Sequence, residues 1–183
     1  MIVEETKLKG CFEITPTIIK DERGFFLESF NEKTFFEKTN TQVHFVQDNQ
    51  SFSSKGVLRG LHYQTGDFAQ AKLVRVLQGS VLDVAVDIRP GSSTFGEVHA
   101  TILSEENHKQ LFVPRGFAHG FVVLSETALF FYKCDNYYSK ESEGGIIYND
   151  KTIGIDWEID ESKMIISEKD QSLPTLELAK KAW

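Results

Sequence analysis

The strongest constraint on the fold is a series of short β-prone segments that follow one another from Val43 onward. Glycine, proline or serine turn signals separate these segments at close and regular intervals. Such spacing is typical of a β-sandwich or β-barrel. The sequence therefore predicts an all-β fold. The predicted strands cover residues 43–49, 57–64, 71–77, 80–88, 98–103, 110–113, 117–124 and 128–138.

The N-terminal part of the chain reads as an arm followed by a short helix. Residues 1–20 are predicted to be extended, and Pro16 within them favours an edge or an arm over a central strand. A turn then leads into a predicted strand at 25–30. Asn31 can cap a short helix over 32–38.

The C-terminal part has a different pattern from the β-rich middle. Residues 175–182 follow Pro174 and have helical propensity, so we expect a helical tail at about 172–183 that packs against the barrel. No internal repeat or low-complexity linker interrupts the chain. We therefore expect a single domain over residues 1–183.

Composition excludes some classes of function. The formal charge of −7 argues against non-specific binding to nucleic acid, although a few local arginines and lysines can still hold a diphosphate. The two cysteines, Cys11 and Cys134, lie far apart in the sequence, which favours reduced thiols in the cytoplasm. We also expect no secretion signal and no membrane span, because the sequence has no basic-then-apolar leader and no long apolar run.

The string Arg59-Gly60-Leu61-His62-Tyr63-Gln64 places an arginine and a histidine on a segment otherwise suited to a barrel interior. A lone histidine on an apolar strand is commonly a hydrogen-bonded core residue, and a general base is the alternative. Strict alternation would put Arg59 and His62 on opposite faces. If both enter one site, the strand should bulge near Gly60, where no Cβ stands in the way.

The strand pattern together with this string is typical of a jelly-roll β-barrel of the cupin type with a few short peripheral helices; another all-β barrel is the alternative. Metal-binding cupins need further ligands around His62. Here Gln64 and Lys72 lie near the positions where two of those ligands are expected, and only His119 remains from a second motif. Two histidines and a lysine make a poor metal site, which predicts a barrel without a catalytic metal.

Seven strings in the same order resemble the dTDP-4-dehydrorhamnose 3,5-epimerase family along essentially the whole chain. They are DERGFF at 21–26, QDNQS at 47–51, RGLHYQ at 59–64, PRGFAHGF at 114–121, YKCDNYY at 132–138, ESEGG at 141–145 and SEKD at 167–170.

This resemblance implies an isomerase that converts dTDP-4-dehydro-6-deoxy-D-glucose to dTDP-4-dehydro-L-rhamnose in dTDP-L-rhamnose biosynthesis. The 4-keto group acidifies the hydrogens on both neighbouring carbons, so a base and an acid on opposite faces can invert each carbon through an enolate. No cofactor is needed, because the ketone is already in the substrate. Two alternatives stay open: an epimerase that inverts only one carbon, and a non-catalytic sugar- or nucleotide-binding cupin.

The resemblance also implies the catalytic residues. His62 corresponds to the base and Asp170 to the carboxylate that orients it, with Asp83 as a rival partner for His62. Tyr132 corresponds to the acid, although an aromatic core residue is the plainer interpretation of that position. Lys72 is the candidate for stabilising the enolate oxygen, because a lysine on an apolar segment is costly unless it lies at an edge or has a function.

Substrate binding and assembly are implied in the same way. In the family, the subunits form a dimer through the N-terminal arm (about 1–30), and the partner's arm completes each site. A second tyrosine, here Tyr138, is expected to stack on the thymine ring. The expected substrate-binding residues are Arg23, Phe26, Glu28, Gln47, Asp48, Asn49, Arg59, His119, Tyr138, Glu143 and Lys169.

Overall fold

A computed structural model describes residues 1–183 and consists mainly of β-strands. The strands β1 to β14 are Ile2–Glu5, Phe12–Thr15, Ile18–Asp21, Gly24–Leu27, Gln47–Ser54, Val57–Gln64, Lys72–Gln78, Ser80–Asp87, Val98–Ser104, Gln110–Val113, Phe117–Val123, Thr127–Cys134, Glu143–Gly145 and Ile165–Ile166. The α-helices are α1 (Glu32–Thr39) and α2 (Glu168–Gln171), and short 3-10 turns cover Gly66–Phe68 and Glu161–Lys163.

Two antiparallel sheets face each other and form the jelly roll. The first sheet has the order β1-β2-β10-β7-β12-β5, and the second has the order β13-β6-β11-β8-β9, with β14 parallel to β6. The strands β3 and β4 form a separate hairpin near the N-terminus. This architecture confirms the predicted all-β jelly roll of the cupin type with few short helices.

Three apolar clusters hold these layers together. Between the sheets, Val76, Leu111 and Phe130 belong to the barrel interior, where Phe121 stacks on Phe130 with ring centroids 4.1 Å apart. A second cluster covers the outer face of the second sheet, and it includes Ala182 near the C-terminus. A third cluster covers the outer face of the first sheet, where Phe35 of the helix α1 packs on the strands. Each sheet is therefore buried on both faces over much of its area.

Strand β8 places two buried aspartates on the face that lines the barrel interior. Its alternate residues Leu82, Val84 and Val86 pack into the outer cluster, whereas the fully buried Asp83 and Asp87 face the other way. A carboxylate in that position needs partners, because an unpaired buried charge is costly.

Asp87 obtains its partners from the loop that follows β8. Its carboxylate accepts hydrogen bonds from Arg89, Ser92 and Thr94, the shortest at 2.6 Å. Burial alone would raise the pKa of Asp87, but these hydrogen bonds outweigh burial and hold that pKa at about 2. The loop is thereby tied to the end of the strand.

The structure confirms the predicted cap of the first helix and corrects several boundaries. The Asn31 side chain accepts a hydrogen bond from the Thr34 backbone N–H at 3.1 Å, and the helix runs one residue further than predicted. The strand predicted at 43–49 instead begins at Gln47 and continues to Ser54. The strand predicted at 128–138 ends at Cys134, because the chain turns away before Tyr138.

The predicted C-terminal helix is wrong. Residues 172–183 form turns and extended chain, but they pack on the barrel as expected, and Ala182 is fully buried. Backbone carbonyls that a helix would pair internally instead accept hydrogen bonds from the barrel. Gly66 donates to the Ala182 carbonyl at 2.9 Å, and Ile147 donates to the Pro174 carbonyl at 2.8 Å. Tertiary hydrogen bonds therefore override local helical propensity here.

None of the helices in the structure combines the length and apolar character required to cross a bilayer.

Candidate active site

The candidate site begins with an irregularity in β6. In its pairing with β11, Arg59 lies opposite Phe121 and His62 lies opposite His119, so β6 contains one extra residue over this stretch. Gly60 occupies the bulge with φ at +134°, and a Cβ there would lie 2.6 Å from the Gly120 Cα. The bulge restores Arg59 and His62 to the same face, and this confirms the prediction made from the glycine.

His62 is paired with Asp170 from α2. The His62 Nε2 and the Asp170 Oδ1 are 2.7 Å apart, and the second carboxylate oxygen accepts the Gly60 N–H at 3.4 Å. Ser167 caps the helix α2 by accepting the Asp170 backbone N–H at 3.1 Å. Burial raises the pKa of Asp170, but the interactions with His62, the Gly60 N–H and the Ser167 hydroxyl outweigh burial, so that pKa lies below its usual value. Asp170 is thus held as an anion.

A second histidine–aspartate pair lies in the same barrel. The His119 Nε2 is 2.9 and 3.0 Å from the two oxygens of Asp83. Both side chains are buried, with exposed side-chain fractions of 7% for His119 and 0% for Asp83, whereas His62 is 33% exposed. Asp83 is therefore not the partner of His62, and the choice that the sequence left open falls on Asp170.

Lys72 and Tyr132 face His62 from the first sheet. The Lys72 Nζ lies 5.8 Å from the centroid of the Tyr132 ring, and Lys72 makes no ion pair. Burial lowers the pKa of Lys72, and nearby Cys134 and Asp83 oppose that shift. Burial also raises the pKa of Tyr132, with a further contribution from Cys134, so the phenol is protonated at neutral pH.

Two cavities, of about 410 and 400 Å³, open between the sheets at these residues. Both are lined by His62 from the second sheet and by Asn49, Lys72 and Tyr132 from the first. The volumes are typical of small-molecule sites. The arrangement places an imidazole on one wall, a phenol on the other and an ammonium beside the phenol, which is suited to moving protons across a bound ligand.

Comparisons with known proteins show the family to which this chain belongs. A family model described as dTDP-4-dehydrorhamnose 3,5-epimerase matches residues 5–177. The dTDP-4-dehydrorhamnose 3,5-epimerase of Salmonella typhimurium is 52% identical over 179 residues, which is 98% of this chain and 97% of that protein. The chain belongs to the dTDP-4-dehydrorhamnose 3,5-epimerase family. It is therefore an isomerase, as the sequence predicts.

Solved structures of related epimerases have the same fold. The crystal structure of the epimerase from Elizabethkingia anophelis has a TM-score of 0.94 and 59% identity, and the match covers 97% of each chain. The enzyme from Legionella pneumophila, in complex with dTDP-4-keto-L-rhamnose, has a TM-score of 0.93 and 51% identity over 97% of this chain and 93% of that one.

Most of the residues predicted to bind substrate in this epimerase lie around the cavities. Glu143 and Lys169 form an ion pair of 2.6 Å, which also raises the pKa of Lys169, and both line a smaller cavity beside His62. Arg59 is held by the Ser53 hydroxyl at 3.2 Å. The predicted binding residues that line one or more of the cavities are Gln47, Asn49, Arg59, His119, Tyr138, Glu143 and Lys169.

The remaining predicted binding residues lie elsewhere in the chain. Asp48 has the opposite parity from Asn49 on β5, and it pairs with Lys133 at 2.9 Å instead of facing the cavity. Its role in substrate binding stays a prediction. Arg23, Phe26 and Glu28 are on or beside the β3–β4 hairpin and line none of the cavities around His62.

Several residues that line the cavities are not among those predicted from the sequence, and two of them, Ser167 and Gln64, hold other groups of the site in place. Ser167 lines a cavity and caps the helix that carries Asp170, and a serine three residues before an acidic residue is the signal that could have identified it. Gln64 is buried at the cavity wall, and the sequence pattern marks it only as the position of a missing metal ligand.

The ligating side chains do not gather into a metal centre. No group of three or more histidine, cysteine, aspartate or glutamate residues has the geometry to hold a metal ion, and His62 and His119 each face a carboxylate. The expectation of a reaction without a metal stays a prediction. A larger cavity of about 590 Å³ lies on the outer side of the second sheet, next to Phe95 and the C-terminal segment, and contains none of the predicted site residues.

Proposed function

We propose that this epimerase inverts carbons 3 and 5 of dTDP-4-dehydro-6-deoxy-D-glucose to give dTDP-4-dehydro-L-rhamnose. The observation that carries the proposal is the His62–Asp170 pair facing Tyr132 across a ligand-sized cavity, with Lys72 beside the tyrosine. The identities to named 3,5-epimerases support the choice of substrate.

The hydrogen bond to Asp170 assigns the tautomer of His62. Because the Asp170 carboxylate is ionised, it can only accept, so the His62 Nε2 carries the proton. The His62 Nδ1 then has a free lone pair and makes no hydrogen bond of its own. In the proposed reaction this nitrogen takes the proton from the carbon next to the ketone, and the adjacent carboxylate stabilises the imidazolium that forms.

Tyr132 and Lys72 serve the other half of the reaction. As the C–H bond breaks, its electron pair moves into an enolate whose oxygen becomes negative, and the Lys72 ammonium stabilises that oxygen. The protonated Tyr132 phenol returns a proton to the carbon from the opposite face, which inverts it. The proton gained by His62 and the one lost by Tyr132 balance. Exchange with solvent water then deprotonates His62 and reprotonates Tyr132, and the same pair serves the second carbon after the sugar reorients.

The remaining parts of the substrate match the charges at the cavity mouth. The guanidinium of Arg59 and the ammonium of Lys169 are available to the diphosphate, and Tyr138 is 57% exposed at the cavity edge as a surface for the thymine. A dTDP-sugar is also the ligand in the complex of the Legionella pneumophila relative.

The N-terminal hairpin supports a homodimer in which each arm completes the partner's site. Phe25 and Phe26 on this hairpin are 58% and 68% exposed, and Ile19 beside them is 60% exposed. So much apolar surface on two short strands favours a covering partner. Arg23 lines none of the cavities around His62 in its own subunit. In such a dimer it contacts the diphosphate of the substrate bound to the partner subunit. The cytoplasmic location stays a prediction, and the two buried free thiols are compatible with it.

The test is incubation of the purified protein with the 4-keto sugar nucleotide in deuterium oxide. The proposal requires deuterium at carbons 3 and 5 and the L-rhamno product by NMR. Label at one carbon only would indicate the mono-epimerase, and no label with intact nucleotide binding would indicate a binding protein. Activity is expected to survive treatment with a chelator.

His62→Ala supplies the matched control for that experiment. It should abolish deuterium incorporation while dTDP affinity changes by less than about threefold, because the imidazole is assigned to the sugar and not to the nucleotide. Persistent exchange in this variant would refute the assignment of the base.

A further inference from the structure

Gln64 is a buried amide whose hydrogen-bonding groups are all directed at main-chain atoms. It is 5% exposed and follows His62 by two residues on β6. Its Nε2 donates to the Phe68 carbonyl at 2.6 Å and to the Tyr137 carbonyl at 3.1 Å. Its Oε1 accepts the Ser139 N–H at 2.7 Å. One side chain thus makes three hydrogen bonds to backbone groups of segments that pair with no strand.

Two of these bonds lie on either side of Tyr138. The Tyr137 carbonyl immediately precedes it and the Ser139 N–H immediately follows it, so Gln64 holds the peptide units flanking this residue. The Tyr138 N–H itself donates to the Gln47 side chain at 3.2 Å. Tyr138 lies beyond the end of β12 and has no strand pairing. Its backbone is therefore held by the hydrogen bonds with the Gln64 and Gln47 side chains.

We propose that Gln64 is a positioning residue that fixes Tyr138 as the platform for the nucleobase. The proposal rests on the proposed function, in which Tyr138 stacks on the thymine. An amide is required because the backbone presents two acceptors and one donor to the same point, and only asparagine and glutamine combine two N–H donors with a carbonyl acceptor. A platform that is fixed before binding does not lose conformational entropy when the base stacks on it.

The test is a double-mutant cycle on dTDP affinity, measured by isothermal titration calorimetry. Tyr138→Ala should weaken dTDP binding about tenfold or more, since stacking on an aromatic ring is worth roughly 1–3 kcal/mol per base. Gln64→Met has a similar length but no amide, and it should weaken binding about fivefold with kcat within about twofold of the wild type. The double variant should bind within about twofold of Tyr138→Ala alone, because Gln64 acts through that ring.

Asn107→Ala is the matched control. The Asn107 amide also donates to one carbonyl, that of Ile102 at 2.8 Å, and accepts backbone N–H groups, from Ser104 at 3.1 Å and Lys109 at 2.9 Å. It lies outside the cavities around His62, so its loss should lower the unfolding temperature without changing dTDP affinity.

Three results would overturn the proposal. They are wild-type dTDP affinity in Gln64→Met, losses that add fully in the double variant, and an equal loss of affinity in Asn107→Ala. Additive losses would mean that Gln64 contacts the nucleotide directly or acts only on stability. A failure of the proposed function would appear separately, as no deuterium incorporation by the wild-type protein.

Discussion

Replacing Asp170 by asparagine tests how much of the reaction depends on the charge beside His62. The substitution keeps the size of the side chain and an oxygen that can accept the His62 Nε2–H. It removes the negative charge that the structure holds 2.7 Å from the ring. Asp170 is 4% exposed beneath the histidine, so the change should act on proton transfer more than on substrate binding.

The magnitude follows from the imidazolium that forms in the transition state. Unit charges centred about 4 Å apart attract by roughly 4 kcal/mol at an effective dielectric constant of about 20. Since each 1.36 kcal/mol is a factor of ten in rate, kcat should fall by about 10³-fold while KM changes little.

The assay is the initial rate of product formation, followed by NMR or by a coupled reductase, over a series of substrate concentrations. Ser167→Ala is the control, because it removes the cap that fixes the helix but leaves the carboxylate in place. It should cost about 1 kcal/mol of stability and far less in kcat. A kcat for Asp170→Asn within tenfold of the wild type would show that the carboxylate only orients the ring, and the electrostatic argument would be wrong.

Three further predictions use other parts of the structure. Lys72→Met keeps the apolar stem but removes the ammonium, so kcat should fall by about 10²–10³-fold in steady-state kinetics, and a loss below threefold would contradict the enolate role. Mixing equal amounts of inactive Arg23→Ala and His62→Ala subunits should restore about one quarter of wild-type activity, because half of the dimers would be hybrids and each hybrid has one intact site of two. No recovery of activity after subunit exchange would exclude the shared site. Asp87→Asn should lower the free energy of unfolding by roughly 2 kcal/mol at pH 7, because the pKa of Asp87 is held at about 2 in the folded protein, below its value in the unfolded chain. That stability is present above pH 4 and is lost as the pH falls through 2, so the urea midpoints of the two proteins should converge over this range and not diverge.

The fold could be predicted from the sequence because its main elements are encoded locally. Turn residues separate the strands, and the Asn31 cap marks the start of α1. The C-terminal segment was mispredicted as a helix because its hydrogen-bond partners, such as Gly66, are far away in the sequence. Local propensity carries no information about such partners.

In the site too, features set by neighbouring residues could be predicted, whereas contacts between residues distant in the sequence could not. The bulge at Gly60 could be predicted, since glycine is the residue that permits it and a shared site for Arg59 and His62 requires it. The partner of His62 could not be decided, because Asp83 and Asp170 are both acidic and only the packing of α2 brings one of them to 2.7 Å. The role of Gln64 could not be predicted, because a buried amide has no sequence pattern of its own.

The extra residue in β6 has a consequence for how this epimerase could be redesigned. Because both β11 and β13 are hydrogen-bonded to that strand, Arg59 and His62 are mounted on a rigid support and not on a loop. Shortening the strand by one residue would turn one of these side chains out of the barrel while leaving the sheet able to form. Changes in substrate range are therefore better sought in the turns around the cavity mouth, where the backbone can move without uncoupling the reacting groups.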